Sequence, residues 1–200
     1  MTDGEIGARS SAARQRLLET AMRIFYTEGI HAIGVDRIIA DAKVTRATFY
    51  RHFPSKEDLV LSYLREVHRL ERGAIESAVT AAPSPSEALL AIAGAIVANI
   101  QSPGFRGCAF LNAAAEYPNP GNPVHVQIIA HRQWFLETLT PLLAEVADDS
   151  SEAAARHFVM LRDGAMAAGC LFEPKLVAQT FRDGVEGLIR VHGERRPTGS

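Results

Sequence analysis

The chain has 200 residues, of which 47% are apolar, and its formal charge is −2. This length suits one domain or a small domain joined to a larger one, and the apolar content is enough to fill a core. The small net charge excludes a uniformly basic coat protein for nucleic acid, and no stretch of 18 uncharged apolar residues suggests a transmembrane helix. Two cysteines make no disulfide framework, and the polar start resembles no secretory signal, so we expect a cytoplasmic protein.

The first predicted helix begins at about Ser11 and ends near Glu28. The preceding residues 1–10 are polar and rich in glycine, and we expect them to form a flexible arm. Apolar residues recur at helical spacing through the helix, and Gly29 follows as a natural C-cap. The apolar stripe consists of Leu17, Leu18, Ala21, Ile24 and Phe25. We predict that this helix holds the two short helices that follow it.

Residues 35–56 predict two short helices joined by a tight turn. In the first, apolar residues recur at the spacing of one helical face: Val35, Ile38, Ile39 and Ala42. Thr45 is a favourable N-cap for the second, which runs from about Arg46 to His52. A helix this short is unstable alone, so the apolar Ala47, Phe49 and Phe53 must pack against neighbours. The arginine, threonine, tyrosine and histidine side chains of this helix then contribute less to packing against the interior.

The exposed side chains of this second helix suit the major groove of DNA. The groove accepts one helix, and its base edges offer acceptors to arginine and a methyl group to threonine. The spacing alone leaves two alternatives: a helix-turn-helix that reads bases, or a helical hairpin with a solvated charged face. The charge distribution fits a DNA reader, because residues 36–56 hold five Lys or Arg against two Asp or Glu, whereas residues 61–200 hold 12 against 15.

The first 60 residues also resemble a known family. The matching stretches are Phe25–Gly29, Val35–Ala40, Val44–Phe53 and Ser55–Leu59, and the most specific pattern is the spacing of Phe49, Tyr50, Phe53, Lys56 and Leu59. Residues 11–60 resemble the DNA-binding domain of the TetR family of transcriptional regulators. This resemblance implies an all-α fold. A three-helix helix-turn-helix domain at 11–55 would precede a larger helical ligand-binding and dimerisation domain at 56–192, with a flexible tail at 193–200.

Nine residues are predicted to bind DNA. The resemblance implies that Tyr50 and Lys56 contact the phosphate backbone, and the exposed position of Arg46 and Thr48 on the second helix predicts that they influence sequence preference. The full set is Arg37, Lys43, Thr45, Arg46, Thr48, Tyr50, Arg51, His52 and Lys56.

Two positions depart from the family pattern. Lys43 stands where glycine is common, because the turn requires a positive φ. A non-glycine residue in that conformation costs roughly 1–2 kcal/mol, so either the turn differs or the cost is tolerated. Lys43 could offset this cost by contacting a phosphate. Gly34 stands where threonine is frequent, which removes one possible hydrogen bond to phosphate.

Six further helices are predicted, giving about nine in all. Their approximate bounds are 56–82, 86–102, 108–117, 124–146, 151–170 and 174–192, and Pro141 should kink the fourth of them. The last two helices are rich in small residues. In the TetR family these two helices pair with those of a second subunit, which would set two recognition helices about 34 Å apart. The alternative is ordinary packing within one chain.

The resemblance also implies a small-molecule pocket among helices 4–8. For each apolar candidate, plain core packing remains the alternative. Asn112 and Glu116 lie one turn apart on an apolar helix and need partners if buried. A cationic or hydrogen-bonding ligand could partner Glu116, as could Arg106, Arg132 or Arg162. The candidate lining residues are Phe105, Phe110, Leu111, Asn112, Glu116, Trp134, Phe158, Met160, Leu161 and Met166.

The predicted function is therefore that of a ligand-responsive regulator. By family default it would be a repressor that binds a palindromic DNA operator as a homodimer and is released by an unidentified small-molecule effector. One alternative is a DNA-binding regulator without an effector. Another is a small metal-dependent enzyme using His125, His131, His157 and Glu116, but the six-residue spacing of the first two suits no helical face, and no nucleophile or phosphate-loop motif occurs. We predict no enzymatic activity, no cofactor and no metal.

Overall fold

The computed structural model describes residues 3–146 and 151–193 of the chain. Within those ranges it contains nine α-helices and no strand, which confirms the predicted all-α class. The helices are α1 (Asp3–Glu28), α2 (Val35–Ala42), α3 (Arg46–His52), α4 (Lys56–Ala81), α5 (Pro85–Ile100), α6 (Ala109–Glu116), α7 (Pro123–Ala144), α8 (Ser151–Ala168) and α9 (Pro174–Gly193). No helix in these ranges has the length and apolar character needed to cross a bilayer.

Helix α1 begins at Asp3, inside the segment for which the sequence predicted a flexible arm. Once the packed part of α1 has formed, extending it adds one hydrogen bond per ordered residue. Residues 3–10 are therefore helical, whereas the predicted tail beyond Gly193 lies outside the described residues.

Two compact units make up the chain, and the division falls within α4. The first unit comprises residues 1–67 and 112–128. The sequence had placed a domain boundary at the start of α4, whereas the division by contacts lies after Val67 and assigns 112–128 to the first unit. In this unit α2 and α3 both pack against α1. Its fully buried side chains include Leu17, Ile24, Ile38, Phe49, Phe53 and Leu59.

The second unit comprises residues 68–111 and 129–200. Helix α5 packs against α8 and α9, and α8 packs against α9. Although its sequence is almost entirely apolar, α5 buries only one face, and Leu90 and Ala95 are exposed on the other. The buried face carries seven side chains: Ala88, Leu89, Ile92, Ala93, Ile96, Val97 and Ile100. Phe110 and Phe158 are also fully buried.

Candidate nucleic-acid interface

The turn between α2 and α3 has the left-handed conformation that glycine usually supplies. Lys43 adopts φ 52° and ψ 50° and ends α2 by donating its backbone N–H to Ala40 O. The N–H of Val44 donates to Ile39 O at 3.2 Å, so both amides satisfy carbonyls of the last helical turn. The sequence left two alternatives, a different turn or a tolerated conformational cost. The structure has the left-handed turn, so the cost of placing Lys43 there is tolerated.

Thr45 is the N-cap of α3, as predicted. It has extended backbone angles, and its hydroxyl accepts the backbone N–H of Thr48 at 3.1 Å. The two threonine hydroxyls also lie 2.9 Å apart and are hydrogen-bonded to each other. The start of α3 is thereby fixed by its own side chains.

Helix α3 is held by aromatic packing on one side. Of the three apolar side chains predicted to pack, Phe49 and Phe53 are almost fully buried, whereas the small side chain of Ala47 is exposed. The guanidinium of Arg14 on α1 lies 5.2 Å from the centre of the Phe53 ring. Tyr50 packs its ring edge-on against Phe49 at 5.1 Å yet remains 43% exposed. The ring of Tyr50 thus contributes to packing while much of the side chain stays at the surface.

The remaining α3 side chains lie at or near the surface. Arg46 and Arg51 are exposed, and Thr48 and His52 are half-buried. Burial lowers the pKa of His52, and the nearby charges of Arg51 and Arg14 lower it further. The outward face of α3 therefore combines cationic, hydroxyl and aromatic groups, which is the chemistry that base edges and phosphates accept.

Two of the predicted DNA-binding arginines have acidic partners in the structure. Arg46 forms an ion pair with Asp36 on α2. Arg37 contacts both Asp41 oxygens at 3.1 Å and Glu28 at 3.4 Å. Since exposed pairs contribute little to stability, the Arg46 pair can be exchanged for a DNA contact at small cost. Arg37 is held by two carboxylates on two helices, which gives it a role in joining α1 to α2.

Lys56 joins the start of α4 to the loop between α1 and α2. Its Nζ donates to the carbonyl oxygen of Ile30 at 2.6 Å, and the side chain is half-buried. Burial lowers the pKa of Lys56, and the charge of Glu116 opposes that shift. The sequence assigned Lys56 to a phosphate contact, whereas the structure gives its ammonium group a partner within the protein.

Glu116 binds the same loop from the end of α6. Its carboxylate accepts the backbone N–H of Ile30 at 2.8 Å and that of His31 at 2.5 Å. The sequence indicated that this carboxylate needs partners and considered a ligand or an arginine, but the partners are backbone amides. These amides lie about 85 residues earlier in the chain, so no sequence pattern identifies them.

The structure does not gather the predicted ligand-binding residues at one site. Phe110 and Phe158 are fully buried in packing, Asn112 and Glu116 belong to the first unit, and Met160 is 72% exposed. One member, Met166, lines a cavity of about 260 Å³ in the second unit. The sequence missed most of the lining of that cavity: Leu70, Glu71, Ala74, Ile75, Ile92, Ala95, Ile96, Asn99, Phe135 and Arg162. The α5 members recur at helical spacing, but a helix that is apolar on nearly all sides does not indicate which face borders a cavity.

The histidines considered for a metal site are in different surroundings. His125 is hydrogen-bonded to the Tyr117 carbonyl at 2.8 Å, His131 to His68 at 3.0 Å, and His157 is exposed on α8. Among the residues that the structure describes, no three His, Cys, Asp or Glu side chains are placed to hold a metal ion.

Comparisons with known proteins agree with the geometry of α2 and α3. Residues 17–63 match the family model described as bacterial regulatory proteins, tetR family. An uncharacterised HTH-type transcriptional regulator of Mycobacterium tuberculosis is 39% identical over 72 residues, which is 36% of each chain. The HTH-type transcriptional regulator LmrA of Bacillus subtilis is 29% identical over 80 residues, 40% of this chain and 43% of that protein. These matches thus span about two fifths of the relatives' length.

A solved structure extends the likeness to nearly the whole chain. The TetR-family transcriptional regulator of Streptomyces coelicolor is 59% identical, with a TM-score of 0.90 over 92% of this chain and 97% of that one. This chain belongs to the TetR family. It is a DNA-binding transcriptional regulator, as its homologues are, and not an enzyme. A TetR-family regulator from Agrobacterium tumefaciens, 21% identical with a TM-score of 0.79 over 92% of this chain and 98% of that one, shares the fold.

Proposed function

We propose that this TetR-family regulator is a repressor that binds a palindromic operator as a homodimer and releases it when a small molecule binds. The observation that carries the proposal is the presentation of α3. Its buried phenylalanines, the Thr45 cap and the left-handed Lys43 turn hold the helix, while Arg46, Tyr50 and Arg51 are exposed. A regulator of this kind acts in the cytoplasm, where its DNA is.

The proposed DNA contacts divide into two groups. Arg46 and Thr48, at the start of α3, would reach base edges, and Arg46 would exchange Asp36 for DNA. Backbone contacts would come from the remaining exposed groups of the turn and helix: Lys43, Thr45, Tyr50, Arg51 and His52. Arg37 and Lys56 are bound to groups within the protein, so we assign them to holding the helix-turn-helix in shape, with any phosphate contact secondary.

The homodimer is supported by an apolar groove on α8 and α9. Met160, Phe172 and Leu176 line this groove and are 72%, 64% and 62% exposed. Large side chains exposed together on one surface are typical of a protein interface. A second copy of α8 and α9 would cover them, and an isologous dimer would place two recognition helices for two half-sites.

Release by a small molecule is supported by the cavity of the second unit. Cavities of this kind, with apolar walls and a few polar groups, are the usual sites for small ligands. Helix α4 carries cavity residues in its second half and Lys56 at its start, and α6 carries Glu116, which binds the loop before α2. If the conformer that binds the small molecule differs in α4 or α6 from the conformer that binds DNA, each ligand lowers the affinity of the protein for the other.

The test is selection of DNA fragments by the purified protein at about 150 mM salt, followed by a repeat with Arg46→Ala. The proposal predicts a palindromic consensus for the wild type and an altered base preference at the positions read by Arg46 in the variant. An equal loss of affinity for all sequences in the variant would instead show that Arg46 contacts the DNA backbone and not the bases. Failure of the wild-type protein to select any sequence, with and without added cell extract, would contradict the proposal.

A further inference from the structure

The cavity of the second unit has apolar walls and one weakly paired carboxylate. Its walls come from α4, α5, α7 and α8, and the polar groups among them are Glu71, Asn99 and Arg162. The side chain of Glu71 is 27% exposed, whereas that of Arg162 is 5% exposed. A molecule in the cavity therefore meets the Glu71 carboxylate more readily than the Arg162 guanidinium.

Arg162 already has close partners on its Nη1 nitrogen. Its Nη1 donates to Asp163 Oδ1 at 3.1 Å and to the Cys108 sulfur at 3.3 Å. Its charged group also lies 5.6 Å from the centre of the Phe135 ring. Asp163 is held in turn by both terminal nitrogens of Arg132, at 2.8 and 2.5 Å. An anionic ligand would have to compete with these contacts for the guanidinium.

Glu71 is held far more loosely. Its Oε2 lies 3.7 Å from Arg162 Nη2 and 3.4 Å from His131 Nε2. Both distances exceed the roughly 2.7–2.9 Å of a charge-assisted hydrogen bond. Burial raises the pKa of Glu71, and the Arg162 charge offsets only part of that effect, so the carboxylate lacks stabilisation that a cation could supply.

The neighbouring histidines do not supply this positive charge. His131 is 2% exposed and stacks on Phe110 with the ring centres 3.5 Å apart. Its Nδ1 lies 3.0 Å from Nδ1 of His68, a contact in which one ring nitrogen must accept. Burial, followed by the charges of Arg162, His68 and Arg132, lowers the pKa of His131 to about 3, so the ring is neutral at physiological pH.

We infer that this cavity binds a small lipophilic amine, whose ammonium group pairs with Glu71 while its apolar body packs against the walls. The inference rests on the proposed function and names the class of its effector. With about 260 Å³ available, the ligand is smaller than most drug-sized molecules. A carboxylate of the same shape would instead bring a second negative charge close to Glu71, which is unfavourable in a partly desolvated site.

The test compares three probes that differ in one group: 4-phenylbutylamine, 4-phenylbutanol and 4-phenylbutyrate. Binding to the full-length protein without DNA is followed by calorimetry and by the fluorescence of Trp134, the single tryptophan of the sequence. Trp134 packs against the rings of His68 and His131. We expect the amine to bind about tenfold more tightly than the alcohol, and the carboxylate to bind more weakly than either.

Variants assign this preference to Glu71. Glu71→Gln should reduce the amine-to-alcohol ratio to about one while alcohol binding persists. Glu76→Gln, on the exposed side of the same helix, is the matched control and should keep the ratio. Should Glu71→Gln fail to fold, Ala95→Phe offers a second test, because a larger side chain at this exposed wall position should weaken all probes.

Three outcomes would overturn the inference: tighter binding of the carboxylate, an unchanged ratio in Glu71→Gln, or no binding of any probe. A separate titration of a selected operator distinguishes this failure from failure of the proposed function. Amine binding that depends on Glu71 but leaves operator affinity unchanged supports the site and contradicts the effector role. Release of the operator by an effector that binds without Glu71 supports the proposed function and contradicts the amine site.

Discussion

Lys43 occupies a conformation that favours glycine, at the position that sets the angle between α2 and α3. It is the one non-glycine residue with positive φ in the described part of the chain. Since the turn is otherwise regular and fully hydrogen-bonded, we expect the lysine to be retained for its charge. On the proposed phosphate contact of Lys43, stability favours glycine at this position and DNA binding favours lysine.

Replacement by glycine separates these two demands. We predict that Lys43→Gly raises the free energy of unfolding by about 1 kcal/mol, because the left-handed strain is removed. The same variant should bind DNA more weakly and reduce the slope of log affinity against log salt by about 1, because a phosphate contact is lost. Urea denaturation and fluorescence anisotropy measure the two effects. An unchanged salt slope would show that Lys43 does not contact phosphate, and Lys43→Ala controls for loss of charge without relief of strain.

At the scale of elements, the end of α6 secures the loop that precedes α2. Glu116 accepts two backbone amides there, and Lys56 binds the carbonyl of Ile30. We predict that Glu116→Gln lowers the free energy of unfolding by about 1–2 kcal/mol, because the amide oxygen can satisfy one N–H well and carries no charge. Denaturation of the variant beside Glu76→Gln, which changes an exposed carboxylate, measures the effect. Equal stability of the two variants would contradict the role given to Glu116.

Helix α7 introduces a sensitivity to acid through His131. Its pKa in the folded protein is lowered to about 3, chiefly by burial, from the ordinary value of 6.5. Below pH 6.5 the unfolded chain therefore binds a proton that the folded protein does not, and stability falls as the pH decreases towards 3. The limiting slope for one such group is about 1.4 kcal/mol per pH unit. Glu71, whose pKa is raised by burial above its ordinary value, acts in the opposite direction, because the folded protein holds this proton at a higher pH than the unfolded chain does.

The His131→Gln variant isolates this contribution. Between pH 6.5 and 5.5 we expect the wild type to lose stability with decreasing pH, and the variant to lose markedly less. The comparison uses the pH dependence and not the absolute stability, because Gln does not reproduce the stacking on Phe110. His157→Gln, at an exposed position of α8, is the control. Parallel pH profiles for wild type and His131→Gln would contradict the assignment.

How far the sequence predicts the structure depends on the distance between interacting residues. The cap at Thr45 and the buried Phe49 and Phe53 follow from local spacing, and the structure confirms them. The partners of Glu116 and the lining of the cavity depend on contacts between residues far apart in the chain, which periodicity does not encode. Met160 illustrates the limit: its apolar side chain made it a candidate pocket residue, but only the fold shows that it is exposed.

At the scale of the whole molecule, the proposed dimer depends on the apolar groove of α8 and α9. Gly164 lies in this groove, and nothing lies within 4 Å of a Cβ built on it. We predict that Gly164→Arg folds normally, because arginine favours a helix more than glycine does, but remains monomeric because its charge enters the interface. Gly73→Arg, also unobstructed and exposed on α4, should remain dimeric. Light scattering measures both, and a dimeric Gly164→Arg would contradict the interface.

We propose that two copies of α3 bind one operator. This proposal is tested by hydroxyl-radical footprinting of a selected site with the wild type and with Gly164→Arg. For the wild type we predict two symmetric protected regions on one face of the DNA, with centres about one helical turn apart. For the monomeric variant at the same concentration we predict weak or no protection. A single unsymmetrical protected region in the wild type, or an identical footprint from the monomer, would contradict the claim.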